Sequence, residues 1–179
     1  MKIKNYLRSL AVIVATFVSF SANAQSIDGC WEYETKIEGN SVGIRLVIEG
    51  KQTIVCTAAE IPNDKVGTVT LALISAPTTA KIANNKFEID PDPKKVTVKV
   101  SEVDWTKDFK TAIKEDPSIE EGLIEQIEKS LEASAEKMAE DMMFSGEFTI
   151  VKCDKAQLVL KDEDGEVITF SKNDPDSGL

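Results

Sequence analysis

Hydrophobic and polar residues alternate along most of the chain, and this alternation predicts β-strands. In "WEYETKI", Trp31, Tyr33, Thr35 and Ile37 fall on one face, whereas glutamate and lysine fall on the other. A period of two is typical of a strand with one buried face. The same period recurs in "SVGIRLVIE", "QTIVCTA", "GTVTLALIS", "NKFEID", "KKVTVKVSEV", "GEFTIVKC", "QLVLKD" and "EVITFSK". We therefore predict a mainly β protein with about eight or nine strands.

Turn signals separate these strands and indicate how they are arranged. "EGN", "EGK" and "DPDP" interrupt the alternation, and Asp164-Gly165 is a strong signal for a hairpin between the last two strands. Short strands with turns at intervals of about 8 to 12 residues are typical of barrels and sandwiches. Since closing a sheet removes its exposed edges, we predict an antiparallel up-and-down β-barrel, or failing that a barrel-like sandwich.

A segment at about residues 107–142 has a helical pattern and precedes the last three predicted strands. Its main part, "DPSIEEGLIEQIEKSLEASAEKMAEDMM", begins with Asp116 as a possible cap and Pro117 at the first helical position. A single helix of about 26 residues would form a rod of ~39 Å. We expect its apolar stripe either to pack on the outside of the sheet or to serve as a lid or partner-binding surface. The stripe comprises Ile119, Leu123, Ile127, Leu131, Ala135, Met138 and Met142.

The first 24 residues have the three parts of a secretory signal peptide. A basic start is followed by an apolar run from Leu10 to Phe20 and by the small-residue pattern "ANA", which predicts cleavage between Ala24 and Gln25. The apolar run is shorter than the ~20 residues that span a bilayer. We therefore expect a secreted or periplasmic protein without stable membrane insertion. Its single domain would cover residues 25–172, followed by a flexible tail at 173–179.

The composition argues against several functions. The chain has 31 acidic and 21 basic residues and a formal net charge of −10, so its surface repels nucleic acids. It contains no histidine, which is the commonest metal ligand and the usual base at neutral pH. The acidic stretch "KDEDGE" is interpreted as a solvated hairpin tip, because its spacing does not match a calcium-binding loop. We expect neither enzymatic activity nor a cofactor nor a metal site.

Three cysteines leave two interpretations open. In an exported protein, Cys30, Cys56 and Cys153 form either one disulfide with one free thiol or three free thiols. The predicted strand directions place Cys30 and Cys153 at the same rim of the barrel, with Cys56 farther up on the inward face. A Cys30–Cys153 disulfide with a buried free thiol at Cys56 is therefore the favoured interpretation.

Two stretches resemble the lipocalin family, in particular bacterial secreted lipocalin-like domains. Gly29-Cys30-Trp31 at the start of the first strand resembles the family's G-x-W signature, and "FTIVKCDKAQLVLKDEDGEVITFSK" resembles its closing strands. The resemblance implies that Gly29 lets the chain pass close under the barrel and that Trp31 plugs the closed end. It also implies a basic residue packed on the tryptophan, for which Lys172 is the nearest candidate. Lipocalins carry their helix after the eighth strand, whereas here the predicted helix precedes the last three strands.

The sequence predicts two alternative functions. The first is an exported, non-enzymatic protein that binds a small apolar ligand in or at the mouth of the barrel. Its lining would come from inward-facing apolar positions, for which the candidates are Tyr33, Leu46, Leu71 and Phe87. The alternative is a secreted structural or protein-interaction module whose barrel interior is filled, and the sequence identifies no particular protein partner.

Overall fold

A computed structural model of the chain describes residues 26–37 and 39–173. The predicted signal peptide and all but the first residue of the predicted tail lie outside these residues. The described part contains eleven strands, three α-helices and one 3₁₀ turn at Pro93–Lys95. The strands are β1 (Gly29–Ile37), β2 (Asn40–Glu49), β3 (Gln52–Asn63), β4 (Gly67–Ser75), β5 (Thr78–Thr79), β6 (Lys81–Ala83), β7 (Lys86–Ile89), β8 (Val96–Trp105), β9 (Gly146–Cys153), β10 (Gln157–Lys161) and β11 (Val167–Asn173). The helices are α1 (Lys107–Glu115), α2 (Ser118–Glu132) and α3 (Ala135–Met142).

All strands belong to one antiparallel sheet that curls into a half-barrel. The order is β6-β7-β9-β10-β11-β1-β2-β3-β4-β8, and the short β5 pairs with β3. The strands β1 and β11, which lie far apart in the sequence, are therefore neighbours in the middle of the sheet. The mainly β, antiparallel character agrees with the sequence prediction.

The sheet differs from the predicted up-and-down barrel in two respects. First, the strands after β4 do not follow in sequential order. The chain crosses to the other side of the sheet, where β7 pairs with β9, and then returns so that β8 pairs with β4. Second, the path of paired strands ends at β6 on one side and at β8 on the other. The prediction of about eight or nine strands missed β5 and β6, because two and three residues are too few to show an alternation.

The core fills the concave side of the half-barrel. On β1 and β2, Trp31 lies opposite Leu46 and Tyr33 lies opposite Ile44, while Glu34 is exposed on the convex side. This is the predicted arrangement, and it follows from the alternation of side chains along a strand. The largest fully buried side chains of the described residues are Trp31, Phe87, Phe170, Leu46, Ile48, Leu73, Ile89, Leu158, Leu160, Val55, Thr53 and Thr57.

The predicted single long helix is two helices, α2 and α3, separated at Ala133 and Ser134. The Ser134 N–H donates to the carbonyl of Leu131 at 2.9 Å, an i to i−3 bond that ends the α-helical ladder. The side chains around this break are small and exposed, so packing does little to hold one straight rod. As a result α2 contacts β8, whereas α3 contacts both β8 and the turn at Pro93–Lys95.

The helices lie along the outer edge of β8 and contact its concave face at Trp105, whereas the sequence left open packing on the outside of the sheet or a lid or partner-binding surface. Trp105 is on the concave face of β8, and its ring centroid lies 5.8 Å from that of Phe109 in α1. Its indole Nε1 donates to Glu120 Oε1 of α2 at 2.8 Å. In α2, Glu128 accepts a hydrogen bond from the backbone N–H of Val100 at 2.9 Å. The helical segment therefore covers the strand at one end of the sheet.

Candidate functional site

One end of the half-barrel is closed around Trp31. The indole is 1% exposed, and its Nε1 donates to the carbonyl of Ile27 at 2.8 Å. Lys172 pairs with Trp31 in the β1–β11 ladder and holds its ammonium 5.2 Å from the centroid of the indole ring. At Gly29, whose φ is +143°, an added Cβ would lie 3.0 Å from Lys172 Cε. The contact between Lys172 and Trp31 is the one that the resemblance implies, and only glycine fits easily beside it.

The four residues predicted to line a ligand site belong to the packed interior. Leu46 and Phe87 are 0% exposed and Leu71 is 3% exposed. Tyr33 is half-buried, with its ring centroid 5.9 Å from that of Phe170. Their neighbours fill the space on the concave face, so none of the four lines the cleft described next.

A cleft of about 270 Å³ opens at the end of the half-barrel opposite Trp31. Three separate parts of the chain form it: the segment from Glu140 to Phe148, the β10–β11 hairpin together with Ile168 just after it, and Ile44 of β2. Its volume lies just below the ~300 Å³ at which ligand pockets typically begin. The cleft is large enough for a small molecule that remains partly in contact with solvent.

The floor of the cleft is apolar and rigidly held. Phe144 and Phe148 stack with their centroids 4.6 Å apart at 12°, and Phe144 meets Phe170 edge-on at 5.7 Å. Thr57 on β3 anchors this segment, because its Oγ1 accepts from the backbone N–H of Phe144 at 3.4 Å and donates to Met143 Sδ at 3.7 Å. The apolar lining residues are Ile44, Met142, Met143, Phe144, Phe148 and Ile168.

The rim of the cleft is acidic. Carboxylates come from the last turn of α3, from the start of β9 and from the β10–β11 hairpin, and the lining contains no lysine or arginine. Lys86 Nζ lies 2.7 Å from Glu147 Oε1, and this hydrogen-bonded contact lowers the pKa of Glu147. The backbone N–H of Glu166 donates to Asp162 Oδ1 at 2.7 Å, which shapes the hairpin. The acidic lining residues are Glu140, Asp141, Glu147, Asp162, Glu163, Asp164 and Glu166.

The backbone of α3 adds to the negative potential at this rim. The helix ends at Met142, and the Met143 N–H donates to the carbonyl of Ala139 at 2.9 Å. The last carbonyls of a helix carry a partial negative charge and favour cations. The cleft thus combines an apolar floor with a negative rim. In the described residues, no three His, Cys, Asp or Glu side chains are grouped so that they could hold a metal ion.

The cysteines do not form the predicted pair. Cys30 precedes Trp31 and lies on the convex side, whereas Cys153 belongs to the core on the concave side, three strands away. Cys153 is nevertheless at the predicted rim, since its Sγ lies 4.0 Å from the carbonyl of Ser26. None of the three described cysteines is joined to another, because a disulfide needs Cβ atoms that point toward each other.

Cys56 is buried as predicted, but on the opposite face of the sheet. It pairs with Arg45 and Ile74, so its side chain lies on the convex side, whereas Val55 and Thr57 point into the core. Burial raises the pKa of the Cys56 thiol. Ile54 and Cys56 share a face, as the alternation requires, but it is the outer one. The run "TIVCTA" is apolar on both faces, so its alternation does not identify the inward one.

Sequence reasoning named Met142 as part of a possible binding stripe, but it did not identify the aromatic floor or the acidic rim as a site. The available signal for the floor was the stretch "FSGEF" between the predicted helix and the next strand. It places Phe144 and Phe148 two residues on either side of Gly146. The hairpin at Asp162–Glu166 was correctly predicted as a turn, but its position beside the aromatic pair follows only from the folded sheet. The site is therefore a product of tertiary structure.

Comparisons of this chain with protein-family models, with curated proteins and with solved structures found no match. The helices of the described residues include none that is long and apolar enough to cross a membrane.

Proposed function

We propose that this protein binds a small molecule with an apolar body in the cleft at the open end of the half-barrel. The observation that carries the proposal is the cleft itself, which has a volume of about 270 Å³ and a floor of stacked aromatic rings. A concave apolar site with a few polar groups around it is the usual form of a small-molecule site. The ligand lies at the mouth, because the deeper interior is filled by side chains such as Leu46 and Phe87.

The protein acts after export and belongs to the lipocalin-like class in this proposal. Export is supported by the signal-peptide pattern at residues 1–24. The lipocalin-like assignment is supported by the arrangement of Gly29, Trp31 and Lys172 at the closed end. Two features differ from the usual pattern of that family: the sheet is open, and the helices come before β9.

A filled interior also supports the second candidate, a structural or protein-interaction module. Leu158 and Phe170, like Leu46, are 0% exposed, so no solvent-accessible space adjoins these three side chains. The two candidates differ in one measurable property: only the first requires saturable uptake of an apolar molecule.

Dye binding tests the proposed function. We expect the fluorescence of the neutral dye N-phenylnaphthylamine to rise saturably, with one site per chain. Met142→Trp places a large side chain in the cleft and should remove most of this binding. Met138→Trp is the matched control, because Met138 lies one turn earlier in α3 and does not line the cleft.

Two results would contradict the proposal. If the parent protein shows no saturable uptake, the interaction-module candidate replaces it. If Met142→Trp binds the dye as well as Met138→Trp does, the binding site is not this cleft. Circular dichroism and thermal melting of both variants establish that they are folded.

A further inference from the structure

The rim of the cleft and its floor have opposite chemical characters, and together they specify a ligand. The floor is formed by apolar side chains that are nearly buried: Phe144 is 7% exposed and Phe148 is 5% exposed. Above it, carboxylates approach from two directions, namely Glu140 and Asp141 from α3 and Glu163 from the β10–β11 hairpin. A molecule that fills the cleft therefore contacts aromatic rings below and negative charge at its edge.

The charge of the rim is balanced only in part by a neighbouring lysine, since Lys86 pairs with Glu147 at 2.7 Å. Elsewhere on the described surface, lysines pair with glutamates, as in Lys81–Glu88 at 2.7 Å. In the described part of the chain, Glu140, Asp141 and Glu163 form no such ion pair, and the cleft lining contains no basic side chain. The C-terminal carbonyls of α3 add partial negative charge at the same place.

We propose that the ligand of this cleft is a small organic cation, with an ammonium or similar group attached to an apolar body. The inference rests on the proposed function and names the chemical class of its ligand. Complementary charge raises the local concentration of a cation at an acidic cleft. The apolar floor selects against a hydrated inorganic ion, because burying the floor favours a molecule that offers apolar surface.

The size of the cleft favours a small molecule over a segment of another protein. A volume of about 270 Å³ accommodates a small organic molecule. Specific protein–protein interfaces cover far more surface, at roughly 800 Å² per partner. An aromatic or alkyl body would lie on Phe144 and Phe148, with its cationic group level with Glu140 and Asp141.

Three matched compounds test the inference. Phenylbutylamine, phenylbutanol and phenylbutyrate share one apolar body and are positive, neutral and negative at neutral pH. We expect the amine to bind about tenfold more tightly than the carboxylate, with the alcohol in between. Because screening by salt weakens exposed charge interactions, the preference should shrink at high ionic strength. Titration calorimetry and displacement of N-phenylnaphthylamine measure the three affinities.

Matched variants separate the local rim from the overall charge of the chain. Glu140→Gln with Asp141→Asn should remove most of the preference for the amine over the alcohol. The control, Glu132→Gln with Glu136→Gln, makes the same charge change in the helical segment outside the cleft lining and should keep the preference. If both double variants lose it equally, the net negative charge causes the preference and the inference is wrong.

The outcomes distinguish this inference from the proposed function. If the alcohol binds as tightly as the amine, the cleft binds apolar molecules without regard to charge, and only the inference fails. If none of the three compounds binds, the proposed function fails as well. If a short lysine-rich amphipathic peptide binds and the amine does not, the partner is a protein, which overturns the assignment of a small organic cation.

Discussion

Trp31 connects the sequence pattern to the closed end of the molecule. Its ring lies between the core and Lys172, and its indole N–H is satisfied by the carbonyl of Ile27. Its burial follows from the alternation on β1, and its partner follows from the β1–β11 register. The burial of Trp31 was thus predictable from the alternation, whereas its contact with Lys172 was suggested only by the resemblance to lipocalins.

Removing the indole should therefore be costly. We expect Trp31→Ala to lower the free energy of unfolding by ~3–5 kcal/mol, the usual cost of truncating a buried aromatic residue. Lys172→Met should cost only about 0.5–1 kcal/mol, since the ammonium lies at an exposed site. Urea denaturation measures both, and a Trp31→Ala variant as stable as the parent would show that this side chain does not close the end of the half-barrel.

Two threonines on the concave face of β3 are chemically alike but differently bonded. Thr53 and Thr57 are both 0% exposed, yet Thr53 Oγ1 has no hydrogen-bond partner in the described residues. Thr57 Oγ1 bonds to the segment that forms the cleft floor. We expect Thr53→Val to raise the free energy of unfolding by about 1 kcal/mol and Thr57→Val to lower it by a similar amount, because an unsatisfied buried hydroxyl is costly.

Thermal and urea unfolding of both valine variants provide the comparison. Each variant replaces a hydroxyl by a methyl group of nearly the same volume, so each is the control for the other. Equal effects in the two variants would contradict the difference in hydrogen bonding.

At the scale of elements, β8 is a strand at one end of the sheet, and α2 covers it. Glu128 Oε1 accepts from the Val100 N–H at 2.9 Å, and Glu128 Oε2 lies 3.3 Å from Lys99 Nζ. The bond from Val100 is the main cause of the lowered pKa of Glu128. Exposed strand edges promote unwanted pairing between chains, so this contact protects β8 and attaches the helix.

The attachment of α2 should weaken at low pH. The pKa of Glu128 is lower in the folded chain than its ordinary value of 4.5. Its carboxylate therefore contributes its full stabilisation when the pH is above 4.5. The stabilisation is then lost as the pH falls through the folded value. We expect the protection factor of the Val100 amide in hydrogen exchange to fall over this acidic range in the parent protein.

Two variants at Glu128 control for the acceptor and the charge. Glu128→Gln keeps a hydrogen-bond acceptor that does not titrate, so the protection factor of the Val100 amide should depend less on pH in this variant. Glu128→Ala removes the acceptor and should lower protection at neutral pH as well. An unchanged Val100 protection factor in Glu128→Ala would contradict the proposed contact.

The elements also show where sequence reasoning succeeds and where it fails. Strands such as β1, β2 and β11 were predictable because each has one buried face and therefore a period of two. The break between α2 and α3 at Ser134 was not predictable. The helical periodicity continues across Ser134, and the break depends on what α3 packs against. The cleft was not predictable either, since its aromatic floor and its acidic hairpin come from segments that only the sheet order brings together.

At the scale of the whole molecule, the sheet formed by residues 26–37 and 39–173 is open at both ends, and neither end presents a long uncovered edge. At one end β6 has only three residues, Lys81–Ala83, and Lys81 is charged. At the other end the helical segment covers β8. Short, charged or covered edges are the usual means of preventing edge-to-edge association. A half-barrel can therefore keep an accessible cleft, because closure is not needed to protect its edges.

The pairing of β1 with β11 has a consequence for how the chain matures. During synthesis, β1 emerges long before β11, its neighbour in the middle of the sheet. Pairing between sequence-distant strands slows folding and leaves intermediates exposed to aggregation. The half that contains β2, β3 and β4 can assemble locally, but the two sides of the sheet join only when β11 arrives. Until then the edges of β1 and β10 are unpaired, and at this stage the chain is most exposed to aggregation.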